Sequence, residues 1–142
     1  NVEPSLYLGD KYKPKMNKFK IRSGLNFKQW QGYGWMHEDD PYGWFEWYTK
    51  YYNGRRHLDD DRQIRRWQDF CGINGRWKLN IYKKIHDSGD WDVSPRVAQS
   101  LLHWGYLINK PDYYHWCEMN NKTYKEEEWC EYGGLPSPKA YE

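Results

Sequence analysis

The stretch DFCGINGRWKLN, residues 69–80, contains the break on which the fold depends. Gly72 and Gly75 enclose a four-residue interruption between two segments with helical periodicity, and a basic segment follows at once. Because glycine is common where a helix ends, we predict two helices joined by a tight turn. This helix-turn-helix outline occurs in DNA-binding domains, but helical hairpins with glycine turns are also common in proteins that never meet DNA.

The segments on either side of this turn each have one apolar and one charged face. The first, LDDDRQIRRWQDFCG (58–72), begins with acids, which suit the positive end of a helix dipole. The second covers residues 75–86. Their apolar stripes are Ile64, Trp67 and Cys71 in the first helix and Trp77, Ile81 and Ile85 in the second. We predict that these stripes face the core.

Four further segments have helical termini or periodicity. They are DDPYGWFEWYTKYYNG (39–54), VSPRVAQSLLHWGYLINKP (93–111), PDYYHWCEM (111–119) and TYKEEEWCEYGG (123–134). Asp40 and Ser94 are the candidate N-caps of the first two, each followed by proline at the first helical position, and Pro111 is expected to follow the end of the second. No segment has the alternation of a strand, so the predicted fold is all-α, a small bundle of five to six short helices.

The chain divides into four parts by composition. Residues 1–24 contain many lysines, two prolines and no periodicity, and they predict an extended basic arm. Residues 25–110 form the helical core domain, and residues 111–134 a C-terminal helical hairpin packed on it. Residues 135–142 are predicted to be an extended, proline-containing tail.

Aromatic rings have to build most of the core. The 142 residues include ten Trp and fourteen Tyr, and aromatic residues make up 20% of a chain that is only 38% hydrophobic. Each large ring buries roughly 150–250 Å². The rings predicted to be buried are Trp44, Trp67, Trp77 and Trp104. No apolar run approaches the roughly 18 residues of a membrane span, so no membrane partner is predicted.

Basic residues concentrate around the central turn. The net charge is only +2, yet residues 62–84 carry seven Lys or Arg and one Asp. Such a face can bind the phosphates of DNA or RNA, although a solvated helix surface has the same composition. In a helix-turn-helix, Arg76, Lys78 and Asn80 would contact guanine, phosphate and adenine. The candidate nucleic-acid-binding residues are Arg55, Arg56, Arg62, Arg65, Arg66, Arg76, Lys78, Asn80, Lys83 and Lys84.

The cysteines predict neither a catalytic nucleophile nor a metal centre. Cys71 lies on a predicted buried face, where a free thiol usually packs as a small hydrophobe. Cys117 and Cys130 occur in matching HWCE and EWCE contexts and could meet His115 around a metal. Three ligands without a fourth make a poor zinc site, so packing is preferred.

The acidic runs also have a structural interpretation. HEDD (37–40) and DDD (59–61) could hold a divalent ion for phosphoryl chemistry. Both runs precede predicted helices, where the backbone alone favours acids, and we prefer that explanation. We therefore predict no cofactor, metal or catalytic residue, and an enzyme acting on nucleic acid is only a third possibility.

One stretch resembles a known family. It is GLNFKQWQGYGWMHEDDPYGWFEWYTKYYNGRRHLDDDRQIRRW (24–67), with SPRVAQSLLHWGY (94–106) further on. The sequence is similar to an uncharacterised family of large DNA viruses of algae and protists and of some algae. That family has the pattern DPxGWFxWYxRYYxGRR, DDxRQIxRW and SPRxxQxLLxW, and Lys50 stands here where it often has Arg. The likeness covers about residues 24–108 and implies a viral or algal protein near viral DNA or in a virion.

Two functions from different classes follow. The first is a nucleic-acid-binding module that uses the basic face of residues 55–84, or exposed rings that stack on single-stranded bases beside arginine. The second is a minor capsid or other assembly component that contacts neighbouring proteins through residues 1–24 and 135–142 and through its aromatic surface. No signal peptide is visible, so we expect an intracellular protein of the host nucleus or cytoplasm, or a virion protein.

Overall fold

The computed structural model describes residues 11–123, and within this range the protein is all-α, as predicted. A 3-10 helix at Pro14–Met16 precedes six α-helices, and the only β-type pairing described is an isolated bridge between His37 and Asp40. The helices are α1 (Phe27–Gly32), α2 (Trp44–Tyr52), α3 (Asp60–Cys71), α4 (Arg76–Ser88), α5 (Pro95–His103) and α6 (Lys110–Met119). None of these helices is long and apolar enough to cross a membrane.

Helix α4 lies at the centre and packs against α3, α5 and α6. Its buried residues are Ile81, Tyr82 and Ile85, of which the two isoleucines were predicted from their spacing. Tyr82 is also fully buried, because its hydroxyl has partners in Tyr106 and the backbone of Asn109. A phenol buried with satisfied hydrogen bonds behaves as a core residue.

The turn between α3 and α4 depends on two glycines for space. A Cβ on Gly72 would lie 2.6 Å from the carbonyl oxygen of Gln68, and one on Gly75 would lie 2.7 Å from the nitrogen of Cys71. Both glycines have negative φ, so the requirement is steric rather than conformational. The predicted helix-turn-helix corner is therefore present, and it is tight.

We expect the Gly75→Ala variant to be destabilised by about 1–3 kcal/mol, the usual cost of forcing atoms into a packed site. The clash is with backbone, which cannot rotate away as a side chain can. Urea denaturation measures the free energy of unfolding. Gly32→Ala is the matched control, because a Cβ there meets nothing within 4 Å. Equal stability of the two variants would contradict the steric explanation.

Rings and aliphatic side chains share the core. The buried apolar residues are Trp44, Trp47, Cys71, Ile81, Tyr82, Ile85, Trp91, Ala98, Leu101, Trp104, Ile108, Tyr113, Trp116 and Cys117. Trp44 and Trp104 were predicted correctly. Trp67 and Trp77 are only partly buried, and Trp67 donates its indole N–H to the carbonyl of Trp104 at the core edge.

Helix α2 begins three residues later than predicted. It starts at Trp44, after Gly43 at φ 90°, so Asp40 is not its N-cap. Asp40 is instead fully buried and pairs with Arg55 and Lys50. The helix buries Trp44 and Trp47, whereas the rings of Phe45 and Tyr52 are exposed.

Helix α5 ends earlier than predicted. It stops at His103, and Gly105 at φ 72° turns the chain away, so Pro111 lies in the first turn of α6. Asn109 caps α6 by accepting the N–H of Asp112 at 2.9 Å. Ser94 precedes α5 without a side-chain capping bond. The left-handed backbone of Gly105 thus interrupts a continuous apolar periodicity: α5 ends before it, and a separate helix, α6, begins after it.

The N-terminal segment differs from a free arm where it is described. The backbone N–H of Phe19 donates to Gln99 Oε1, and the hydroxyl of buried Ser23 donates to the carbonyl of Arg96. Both contacts attach this segment to α5. Residues 1–10 of the predicted arm, the second helix of the hairpin and the tail at 135–142 lie outside the described residues.

Candidate nucleic-acid interface

A surface groove runs between the N-terminal segment, α1 and the starts of α2 and α4, with α5 and the end of α3 also lining it. We call it the aromatic groove. Its solvent-exposed rings are Tyr12, Phe27, Trp35, Tyr42 and Phe45, each at least 40% exposed. Large apolar surface left in contact with water on one side of a domain typically marks a binding site.

The rings of the aromatic groove support one another. Trp35 lies edge-on to Trp30, with ring centroids 5.3 Å apart, and 4.9 Å from Tyr33. Trp30 in turn contacts Trp104 of the core, at 6.1 Å between centroids. Contacts of this geometry stabilise ring pairs beyond simple area burial. Trp35 is therefore held in place while 40% of it stays exposed.

The charge of the aromatic groove is strongly positive. Among the described residues that line it, the Lys and Arg are Arg22, Arg66, Arg76, Lys84 and Arg96, and the only acid is Asp69. Among residues 11–123, none of these five cations forms a salt bridge with a carboxylate. Their charges are therefore not neutralised by paired acids of the described chain, which favours an anionic ligand.

Arg66 joins the two features of the groove. Its guanidinium lies 5.4 Å from the ring centroid of Trp30 and 5.3 Å from that of Trp104, and it donates to Gln63 Oε1 at 2.9 Å. Burial lowers the pKa of Arg66. Arg76 similarly lies 5.0 Å from the ring centroid of Trp77 at the start of α4. A guanidinium that lies over a ring face is attracted to the ring, and its N–H groups can still donate to phosphate.

The ten predicted residues fall into three groups: those that line the groove, those that form ion pairs with acids, and those that do neither. Three of them, Arg66, Arg76 and Lys84, line the aromatic groove. Four form ion pairs, which join Arg55 to Asp40, Arg62 to Asp59, Lys78 to Asp112 and Lys83 to Asp87. Arg56 stacks on Tyr51, Arg65 is exposed on α3, and Asn80 is half-buried on α4.

Arg76, Lys78 and Asn80 do not share the face that major-groove reading requires. At 100° per residue, positions two apart point about 200° away from each other, so Lys78 lies opposite Arg76. Its ammonium is 2.7 Å from Asp112 Oδ2, and its side chain is only 13% exposed. Tyr106 donates to the same carboxylate. The structure therefore does not bring Lys78 to one face with Arg76 and Asn80, and their predicted contacts with phosphate, guanine and adenine stay a prediction.

The described cysteines are packing residues. Cys71 is fully buried, and this burial raises the pKa of its thiol to about 12. Cys117 is also fully buried, and burial raises its pKa. Since the thiolate is the reactive form, neither is an activated nucleophile. His115 is exposed on α6, and Cys130 lies outside the described residues.

The two acidic runs lie beside one another rather than serving only their own helices. Asp40, Asp59 and Asp60 are all buried, and Asp60 accepts hydrogen bonds from the backbone of His57 and the indole of Trp47. The sequence analysis did not predict that the two runs come together.

The sequence analysis also missed two basic residues of the groove, Arg22 and Arg96. They lie far from the 62–84 basic segment and reach the groove only through packing of the N-terminal segment on α5.

Comparison with known proteins does not assign the site. No protein-family model, curated protein or solved structure matches the chain significantly. The resemblance to the viral and algal family therefore stays a prediction. Functional inference depends on the chemistry of the aromatic groove.

Proposed function

We propose that this protein binds single-stranded nucleic acid, DNA or RNA, in the aromatic groove. The observation that carries this proposal is the combination of five exposed rings with five basic residues and one acid on a single surface. Single-strand binding proteins combine a positive groove, which follows the phosphates, with rings on which the bases stack. Recognition of the bases of a duplex by the helix-turn-helix is less favoured, because Lys78 forms an ion pair with Asp112 and Asn80 is half-buried.

The predicted biological context is compatible with this activity. A protein of a large DNA virus or an alga that works near viral DNA would meet single strands during replication or packaging. Arginine beside tryptophan, as at Arg66 and Trp30, supplies both charge and a stacking plane. The proposal therefore keeps the predicted nucleic-acid partner but moves the interface from the helix-turn-helix face to the groove beside it.

The first test is binding of labelled single-stranded DNA, single-stranded RNA and duplex across a salt series. Each neutralised phosphate contributes roughly −0.7 to the log–log salt slope of single-strand binding, so the five cations predict a slope of about −3.5. We expect single strands to bind more tightly than duplex. Absence of binding at low salt would overturn the proposal and favour an assembly component acting through residues 1–24 and 135–142.

Pairs of cations inside and outside the groove provide matched variants. We expect the Arg76→Ala/Lys84→Ala variant to have a salt slope shallower by about 1.4, because two phosphate contacts are lost. The control is Arg65→Ala/Lys83→Ala, which removes the same charge from α3 and α4 outside the groove. Fluorescence anisotropy at several salt concentrations measures both slopes. Identical slopes for the two double variants would exclude the groove as the interface.

A further inference from the structure

Two histidines and an aspartate from separate loops meet away from the basic residues of the groove. His37 and Asp39 precede α2, whereas His57 lies between α2 and α3. Asp39 Oδ2 is 2.9 Å from His57 Nε2 and 3.5 Å from His37 Nδ1. One ligand atom from each of the three residues lies within 4.8 Å of the others. The side chains of His37 and His57 are 32% and 21% exposed and that of Asp39 is 55% exposed, so the cluster is accessible to an ion from solvent.

The buried carboxylates of Asp40 and Asp60 hold the backbone beside Asp39 and His57 in place. Asp40, next to Asp39, accepts a two-pronged bond from Arg55, at 2.7 and 2.5 Å. Lys50 donates both to Asp40 and to the carbonyl of Asp39, the latter at 2.7 Å. These contacts fix the 37–40 loop against α2 without using the carboxylate of Asp39.

The His57 side of the cluster is fixed in the same way. The backbone N–H of His57 donates to Asp60 Oδ2 at 2.8 Å, and the indole of Trp47 donates to the other oxygen of Asp60 at 2.8 Å. Both Asp60 and Trp47 are buried. Asp39 and His57 are thus positioned by partners that do not bond to Asp39 Oδ2 or His57 Nε2, as in preorganised metal sites, whereas His37 Nδ1 accepts the backbone N–H of Asp39 at 3.2 Å.

We propose that His37, Asp39 and His57 bind a divalent transition-metal ion of the Zn²⁺ class. Zinc takes imidazole nitrogen and carboxylate oxygen at about 2.0–2.2 Å, which places neighbouring ligand atoms of a tetrahedral site about 3.3–3.5 Å apart. The two distances to Asp39 Oδ2, 2.9 and 3.5 Å, need only small adjustments to reach this range. Three protein ligands leave a fourth position for water or an anionic ligand. The mixed nitrogen and oxygen donors disfavour Ca²⁺ and Mg²⁺, which prefer all-oxygen sites.

Metal binding replaces hydrogen bonds already present in the cluster. Coordination of His57 through Nε2 places the ring proton on Nδ1, so the long contact from the N–H of Asp59 to Nδ1, at 3.2 Å, is lost. The bond between His57 Nε2 and Asp39 Oδ2 is likewise replaced by bonds from both atoms to the metal. Coordination of His37 through Nδ1 also removes the bond from the N–H of Asp39, so three hydrogen bonds are exchanged for three metal–ligand bonds.

The test is calorimetric titration of the tag-free protein with Zn²⁺, followed by the absorption spectrum with Co²⁺. We expect saturable binding of one ion per chain, at least tenfold weaker in His57→Ala and in Asp39→Asn, since even supporting residues of metal sites change affinity 10–100-fold. Asp39→Asn keeps the shape of an exposed residue, so its effect is not a folding defect, and circular dichroism verifies this. The Co²⁺ spectrum should lack a thiolate charge-transfer band.

Two control variants separate this site from the one sequence reasoning considered. His115→Ala removes the histidine two residues before Cys117, and Asp61→Asn removes an exposed acid in the first turn of α3. We expect both to bind Zn²⁺ like the wild type. The proposal is overturned by absence of saturable binding, by unchanged affinity in Asp39→Asn, or by a thiolate band together with loss of binding in His115→Ala.

Discussion

Replacing Trp35 by alanine should weaken single-strand binding by about 5- to 150-fold. Stacking of one base on one ring contributes roughly 1–3 kcal/mol by alanine substitution, and each 1.4 kcal/mol is tenfold. Trp35 is the ring expected to matter most, because it is 40% exposed and yet held by Trp30 and Tyr33. A held ring loses little conformational freedom when a base stacks on it. Fluorescence anisotropy with a labelled oligonucleotide measures the change.

The salt dependence separates this effect from the loss of charge. Trp35→Ala removes no cation, so its salt slope should equal that of the wild type while the whole curve moves to weaker binding. Tyr52→Ala is the control, since it removes a ring that is 78% exposed on α2 outside the groove. If Tyr52→Ala weakened binding as much as Trp35→Ala, the stacking surface would not be the groove.

Helices were predictable from the sequence where apolar periodicity and the residues at the helix ends indicated the same boundaries. Helices α3 and α4 followed from periodicity on both sides of Gly72 and Gly75, which are required for close approach of the backbone. The start of α5 at Pro95 was predicted correctly, but its C-terminal end was not. Gly105 resembles a small core residue in the apolar pattern, and only its left-handed φ of 72° shows that the helix has ended.

The site was less predictable because charge along a sequence does not show which charges are paired. Arg55 and Lys78 appear in the sequence as members of a basic face, yet each neutralises an acid far along the chain, Asp40 or Asp112. Arg22 and Arg96 reach the groove from outside the basic segment. A cation is available to a ligand only when it is not paired with a carboxylate of the same chain. Tertiary packing determines which cations are paired.

Asp40 shows how much of the fold rests on such a pair. Its carboxylate is fully buried and takes the guanidinium of Arg55 and the ammonium of Lys50, so it joins the loop before α2 to the loop after it. Burial alone would raise the pKa of Asp40, but the hydrogen bonds from Arg55 and Lys50 outweigh it and hold the pKa below its usual range. The carboxylate therefore stays charged in the folded protein at neutral pH.

The Asp40→Asn variant should be destabilised by about 3 kcal/mol at neutral pH. Removing one partner of a buried pair costs roughly 3–5 kcal/mol, and the lower end applies because Arg55 and Lys50 are 25% and 38% exposed. That is a large part of the 5–15 kcal/mol typical of a whole domain and lowers the Tm by roughly 10 °C. Urea denaturation followed by tryptophan fluorescence measures it. Asp61→Asn, at an exposed position in the same helix start as Asp60, should cost less than about 1 kcal/mol.

The difference between Asp40→Asn and the wild type should shrink as the pH falls. A carboxyl whose pKa is lower in the folded than in the unfolded chain adds stability above the unfolded value, about 3.9, and this stability is lost as the pH falls through the folded value. The wild type has that contribution from Asp40 at neutral pH and loses it in acid, whereas the variant never has it. Denaturation at neutral pH and at about pH 3 therefore tests the cause as well as the size of the effect. A difference that stayed constant between the two conditions would mean that shape at position 40, rather than its charge, stabilises the loops.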